Sequence, residues 1–204
     1  MPSIDIFKSI FVTQTIEQDT LELIQYWLPT YLREVESQLG LPINSIAVPK
    51  PENYTSRNTY EDLPGEELPK VIVISPGLIQ APLKSGTGQY RATWRLGVGV
   101  ATARPTEEEA KLHCDIYGAA VRTIMLQKGG GALGGQVHWV DEQYAGIPLG
   151  NAIRRYRAAS LWFGVDLENV ATQRGGPDAP NAEPYEYHTA DEVIVDLVKE
   201  PING

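Results

Sequence analysis

Apolar residues recur at Leu21, Ile24, Leu28, Leu32, Val35 and Leu39, three or four positions apart, and Trp27 and Tyr31 widen the stripe. That spacing predicts a one-sided helix. Thr15 to Asp19 offer capping oxygens at its start, with Glu22 three residues beyond Asp19. Gly40 and Pro42 stop it, and Pro29 inside it removes a hydrogen bond and predicts a kink. The pattern then changes period. Lys70-Val71-Ile72-Val73-Ile74 is a β-branched run suited to a strand covered on both faces, ended by Pro76-Gly77. Tyr90, Ala92, Trp94, Leu96, Val98 and Val100 alternate with polar or glycine residues, which sets one strand face in a core. Gly97 and Gly99 fall on its other face, where they imply close approach of another backbone or a bend.

A second helix follows. Thr106 and Glu109 form a capping box, and Ala110, Cys114, Tyr117, Val121, Ile124 and Met125 carry its apolar face. Gly129-Gly130-Gly131 reads as its stop and as the start of a flexible connector. Strands are expected at residues 137–144 and 155–167. In the latter, Ala159, Leu161, Phe163, Val165 and Leu167 face one way, and Tyr156, Ala158, Ser160, Trp162, Gly164 and Asp166 the other. The order predicts an α+β fold: a mixed, mostly antiparallel sheet of about four strands with two helices on one face. Residues 42–69 are Pro-rich and loop-like, and residues 1–14 are apolar enough to form a strand or a packing arm.

Residues 1–170 read as one domain and residues 171–204 as an extended C-terminal arm. From residue 172 onward there are two basic and seven acidic residues, over half of the net charge of −9. Gly175, Gly176, Pro177, Pro180 and Pro184 argue against regular structure in the first part of the arm. Val193-Ile194-Val195-Asp196-Leu197-Val198 then forms an isolated β-branched run. As a strand it must pair with an edge of its own domain or of a neighbour. A short helix packing Ile194 and Leu197 on the domain is the alternative.

An acidic chain of ordinary globular composition lacks the basic footprint of a general nucleic-acid binder. It remains compatible with DNA passing along a negatively lined channel. The single cysteine, Cys114, rules out an intramolecular disulfide and reads as a small buried hydrophobe. No apolar run is long enough to span a bilayer, and the N-terminal run lacks a signal-peptide cleavage site.

No catalytic constellation emerges. His113, His138 and His188 are scattered. His113, Cys114 and Asp115 are adjacent on a helix, where neighbours point in different directions. Gly86-Thr87-Gly88 lacks the Lys-Ser/Thr of a phosphate loop, and Glu107-Glu108-Glu109 suits a helix N-terminus. No enzyme activity, cofactor or metal is therefore expected. Candidate contact residues are Arg154, Arg155 and Arg157, either solvated or facing an acidic partner, and Lys84 near a polar hairpin tip. Trp162 is either covered by a helix or an interface anchor. Val193, Ile194, Val195 and Leu197 of the arm complete the set.

The layout as a whole carries a resemblance. A helix, a hairpin ending in the long strand from Tyr90 to Ala103, a Thr-Glu-Glu-Glu-Ala helix and a second hairpin ending in Arg-x-Arg-Ala-Ala-Ser-Leu-Trp-Phe-Gly-Val-Asp-Leu resemble the tail terminator proteins of long-tailed bacteriophages. The likeness covers roughly residues 15–170. The long 42–69 loop and the arm depart from it. The resemblance implies a six-membered ring at the head-proximal end of the tail tube. Such a ring ends tube polymerisation and presents a docking face for the head. It implies a homo-oligomer, tube and neck (connector) proteins as partners, DNA in transit through the channel, no membrane, and residence in the virion after assembly in the host cytoplasm. Another phage neck protein, such as a head completion or connector protein, is the nearer alternative, and a small hydrolase the distant one.

Overall fold

The computed structural model describes residues 12–56, 68–84, 89–147 and 155–172. Helix α1 (Val12–Gln38) leads, followed by a 3-10 turn (Pro51–Asn53) and the short strand β1 (Tyr54–Thr55). Strands β2 (Lys70–Leu78), β3 (Leu83–Lys84) and β4 (Gln89–Arg104) come next. Helix α2 (Glu107–Leu133), β5 (Gln136–Ile147) and β6 (Arg155–Thr172) complete the order. The strands form one six-stranded sheet in the order β1-β2-β4-β6-β5, with β3 paired to β4. β1 runs parallel to β2, and all the other pairings are antiparallel. The expected α+β class holds. Four of the six strands are long, and the two extra ones are two-residue pieces.

Both helices lie on one face of the sheet. The core joins Leu96, Val98 and Val100 of β4, Val71 and Val73 of β2, and Leu161, Phe163 and Val165 of β6 to the buried sides of α1 and α2. Along α1 the buried residues follow a four-residue step, Ile16, Thr20, Ile24, Leu28, Leu32 and Glu36, flanked by Leu21 and Leu23. A four-residue step overshoots one helical turn by about 40°, so the buried stripe winds around the helix. It leaves the sheet by the last turn, and Glu36 faces the loop that follows. The Glu36 carboxylate accepts hydrogen bonds from the N–H groups of Ile46 (2.7 Å) and Asn44 (3.0 Å) and pairs with Arg33. Arg33 in turn donates to the carbonyl of Ile46 at 2.7 Å. One acidic side chain thus anchors the start of the loop that the composition left structureless.

Several expectations need correction. α1 is helical from Val12, so Asp19 lies inside the helix and not at its start. The helix runs on past Pro29 to Gln38, and Gly40 adopts the left-handed conformation (φ 63°) just after it. Pro76-Gly77 does not end β2. The ladder slips between Ile74 and Gly77, and the strand continues to Leu78. The glycine run at 129–131 does not stop α2, which continues to Leu133 and caps at Gly134 (φ 68°). Leu133 is buried and holds the last turn on the core, while Gly129 lets Val137 of β5 cross close by. Tertiary packing here outweighs the roughly 1 kcal/mol that each glycine costs a helix. The N-cap half of the capping box holds: Thr106 Oγ1 accepts from the Glu109 N–H at 3.2 Å. β6 extends to Thr172, past the expected start of the arm.

Two measurements check this packing. Phe163 is fully buried between the sheet and the helices. Phe163→Ala should destabilise by about 3–5 kcal/mol in urea unfolding, whereas Leu112→Ala on the exposed side of α2 should change stability by about 0.5 kcal/mol or less. The second concerns pH. Burial tends to raise the Glu36 carboxyl, but the Ile46 and Asn44 N–H groups and the Arg33 guanidinium outweigh it and hold it below its ordinary 4.5. A folded value below the unfolded one adds stability that is present above that range and lost as pH falls through the folded value. Glu36→Gln should therefore be less stable at neutral pH, and its urea midpoint should fall less steeply on acidification than the wild type's.

Candidate assembly surfaces

The sheet face away from the helices carries Trp162. Its ring lies against Gly97 on the neighbouring strand, the register partner of Trp162. A Cβ at position 97 would sit 2.7 Å from the ring. The Arg95 guanidinium stacks on the same ring at 4.5 Å from its centroid. Gly97 is therefore required by a side chain, not by an approaching backbone. No helix among the described residues covers Trp162. Between Ile72, Ile74, Gly97, Gly99 and Trp162 the face holds a shallow apolar depression.

The basic cluster is divided. Arg157 pairs with Glu107 at the start of α2 at 3.2 Å, so its charge is met within the domain. Arg155 is exposed at the first position of β6, opposite Arg104. Lys84 is exposed on β3 opposite Tyr90. Arg154, Val193, Ile194, Val195 and Leu197 lie outside the described residues.

The tempting trio on α2 separates. His113 Nδ1 lies 2.7 Å from the Arg104 guanidinium, and burial together with that cation lowers the imidazole pKa. Cys114 is buried in the core, and Asp115 is exposed. Among the described residues, no group of His, Cys, Asp and Glu is placed to hold a metal ion. No helix among them is long and apolar enough to cross a membrane. A cleft of about 320 Å³ opens between Leu83, Arg91, Thr93, Gln136, Asp166 and Glu168. Its rim pairs Thr93 Oγ1 with Asp166, and Asp166 also meets His138 at 3.5 Å.

The surface that sequence reading missed is β5. It is the last strand of the sheet, and its outer side pairs with no strand among the described residues. Trp139 and Val140 are each 49% exposed. Val140 is skipped in the register with β6, which places a bulge between Trp139 and Asp141. On the helix side, Arg122 Nη1 of α2 donates to both carboxylate oxygens of Glu142 at 2.6–2.7 Å, and its guanidinium lies over the Trp139 ring at 5.0 Å. The Tyr144 hydroxyl donates to Glu142 at 2.6 Å, and its phenol fills the space left by Gly118. Burial, with the Glu142 carboxylate as acceptor and neighbour, raises the Tyr144 pKa, so the phenol stays protonated. This network fixes the upper side of an edge strand whose own backbone is open. Alternation in residues 137–144 marks a strand; nothing in that pattern says that it is the outermost one.

No protein-family model matches this chain, and no curated protein matches it significantly.

Burial and the Asp115 charge push the Cys114 thiol up to about 12. The folded protein should therefore leave Cys114 unlabelled by a thiol reagent at about pH 8, while urea-unfolded protein takes up one equivalent. Rapid labelling of folded protein would show that α2 is not seated on the core as described.

Proposed function

We propose that this protein is a structural ring-forming subunit of the phage tail terminator type, which caps the head-proximal end of a tail tube and presents a docking face to the head. The observation that carries this reading is the sheet with both helices on one face, ending in the long strand β5, whose outer edge pairs with no strand among the described residues and where Trp139 and Val140 are exposed. An open strand edge is a template for another chain, and folded proteins that stay alone blunt it with charged side chains, proline, a bulge or a covering element. β5 has no lysine or proline, and its bulge at Val140 interrupts the edge but leaves residues 141–147 in regular register with β6. The helix–sheet–helix–sheet order of the resemblance is also the order of the fold.

In this reading the subunits meet through two different surfaces, since a ring needs heterologous contacts that close. The net charge of −9 suits a channel that DNA traverses without sticking. The virion is the site of action, tube and neck proteins are the partners, and neither cofactor nor catalysis is invoked. A related phage neck protein would share the architecture and differ in partner, binding portal or adaptor in place of tube.

The test is binding to tail tubes. Purified protein added to tubes from the cognate phage should appear by negative stain as a cap at one end only, and should stop tube elongation when tube subunit is supplied. Binding to portal or adaptor with no affinity for tubes would favour the other neck role. No affinity for any of them would overturn the proposal.

A further inference from the structure

We infer that the outer edge of β5 is the acceptor for a β-strand, and that the donor is the segment Val193-Ile194-Val195-Asp196-Leu197-Val198 of a second copy of this chain. The inference that the donor comes from another copy rests on the ring reading above.

Each half of the pairing lacks what the other supplies. β5 presents a row of N–H and C=O groups on its outer side that meet no strand among the described residues. The bulge at Val140 divides that edge, leaving residues 141–147 as an unbroken seven-residue stretch in register with β6. The donor run has six residues, five of them apolar and four β-branched, and lies beyond the described residues. As a strand, such a run satisfies its backbone by joining an edge.

Side-chain alternation selects the orientation. Along β5, Glu142 and Tyr144 face the helices, opposite the core residues Leu161 and Ala159 of β6. Asp141, Gln143 and Ala145 face the open side. On α2, Arg122 and Gly129 touch β5 residues, and Leu126 on the same stripe is 47% exposed. The helix thus carries apolar surface on the flank toward the sheet edge. A donor strand that turns Val193, Val195 and Leu197 to the helix side extends the core under that flank. Ile194, Asp196 and Val198 then face the open side, where the Asp196 carboxylate stays in water.

Length permits the exchange. The last described residue, Thr172, lies six positions beyond Asp166, the register partner of Gln136 at the start of β5. Residues 173–192 separate it from the donor. Twenty residues reach at most about 65 Å when fully extended. An acceptor edge within that distance, on the same chain or on a second copy, can be joined. Donor and acceptor are different surfaces, so every copy has one of each, as a closed ring requires.

The experiment is hydrogen–deuterium exchange on the full chain, wild type and Val195→Asp/Leu197→Asp, over a range of protein concentrations. Amides in residues 141–147 should exchange at least tenfold more slowly in the wild type than in the double variant. That protection should fade on dilution. Equal exchange in the two proteins would overturn the pairing. Protection that is independent of concentration would overturn the second-copy donor and give the strand to the chain's own domain. The same samples separate this inference from the proposed function. Six-fold rings without β5 protection sink the inference alone. Concentration-dependent protection in a protein that neither forms rings nor caps tubes sinks the functional reading alone.

Discussion

The antiparallel pairing of β4 with β6 is the constraint from which the rest of the molecule follows. It runs from Gln89–Thr172 at one end to Arg104–Arg155 at the other, with one slip near Tyr90. Its register places Leu96 beside Phe163, Val98 beside Leu161 and Val100 beside Ala159, all on the face that receives the helices. A shift of one residue would turn every one of these side chains to the other face. With that ladder fixed, β2 and β5 have one free edge each to join, and α1 and α2 have one apolar surface to cover. On the opposite face the same register sets Gly97 against Trp162, which allows the indole to lie flat and gives Arg95 a surface to stack on.

The two outer edges of the sheet are finished differently. On the β2 side, β1 pairs with Val71 and Ile72, and Glu17 of α1 accepts a hydrogen bond from the Ser75 N–H at 2.6 Å. Burial raises the Glu17 carboxyl and the Ser75 bond partly offsets this, consistent with a side chain drawn against the sheet to reach a backbone donor. On the β5 side, the Arg122–Glu142–Tyr144 network stiffens the strand from above but offers nothing to its outer N–H and C=O groups. The β2 edge is covered in part by β1 and Glu17, while the outer edge of β5 pairs with no strand among the described residues. In the proposed ring, that asymmetry would let neighbours add in one direction.

Much of this architecture was legible in the chain because it rests on periodicity. The α1 stripe from Leu21 to Leu32, the alternation in β4 and β6 and the Thr106 cap are local signals with which packing agrees, whereas Leu39, the end of the expected stripe, lies past the helix and is exposed. The errors came where long-range contacts overrule local preference. Gly129, Gly130 and Gly131 signal a helix end, yet buried Leu133 holds the turn beyond them. Pro76-Gly77 signals a strand end, yet a bulge absorbs it and β2 goes on to pair with Trp94. The glycines of β4 suggested a neighbouring backbone, whereas an indole sixty-five positions away in sequence occupies the space at Gly97. For the candidate surfaces, alternation placed Trp162 on the face away from the core and left open whether a helix covers it. The edge position of β5 was not readable, because an edge is defined by which strands are absent beside it and no local pattern encodes that. Arg157, expected to be solvated or to face an acidic partner, pairs instead with Glu107, fifty positions away in sequence.

The claim that ties fold to function is that this chain associates with itself through unlike surfaces that close into a ring. Native mass spectrometry over a range of protein concentrations tests it most directly. The account predicts that the 22.5 kDa protomer gives way to a discrete species of six times that mass as concentration rises, with no continuous ladder beyond it. A protomer that persists alone at the highest concentration, or an unending series of higher masses, would contradict it.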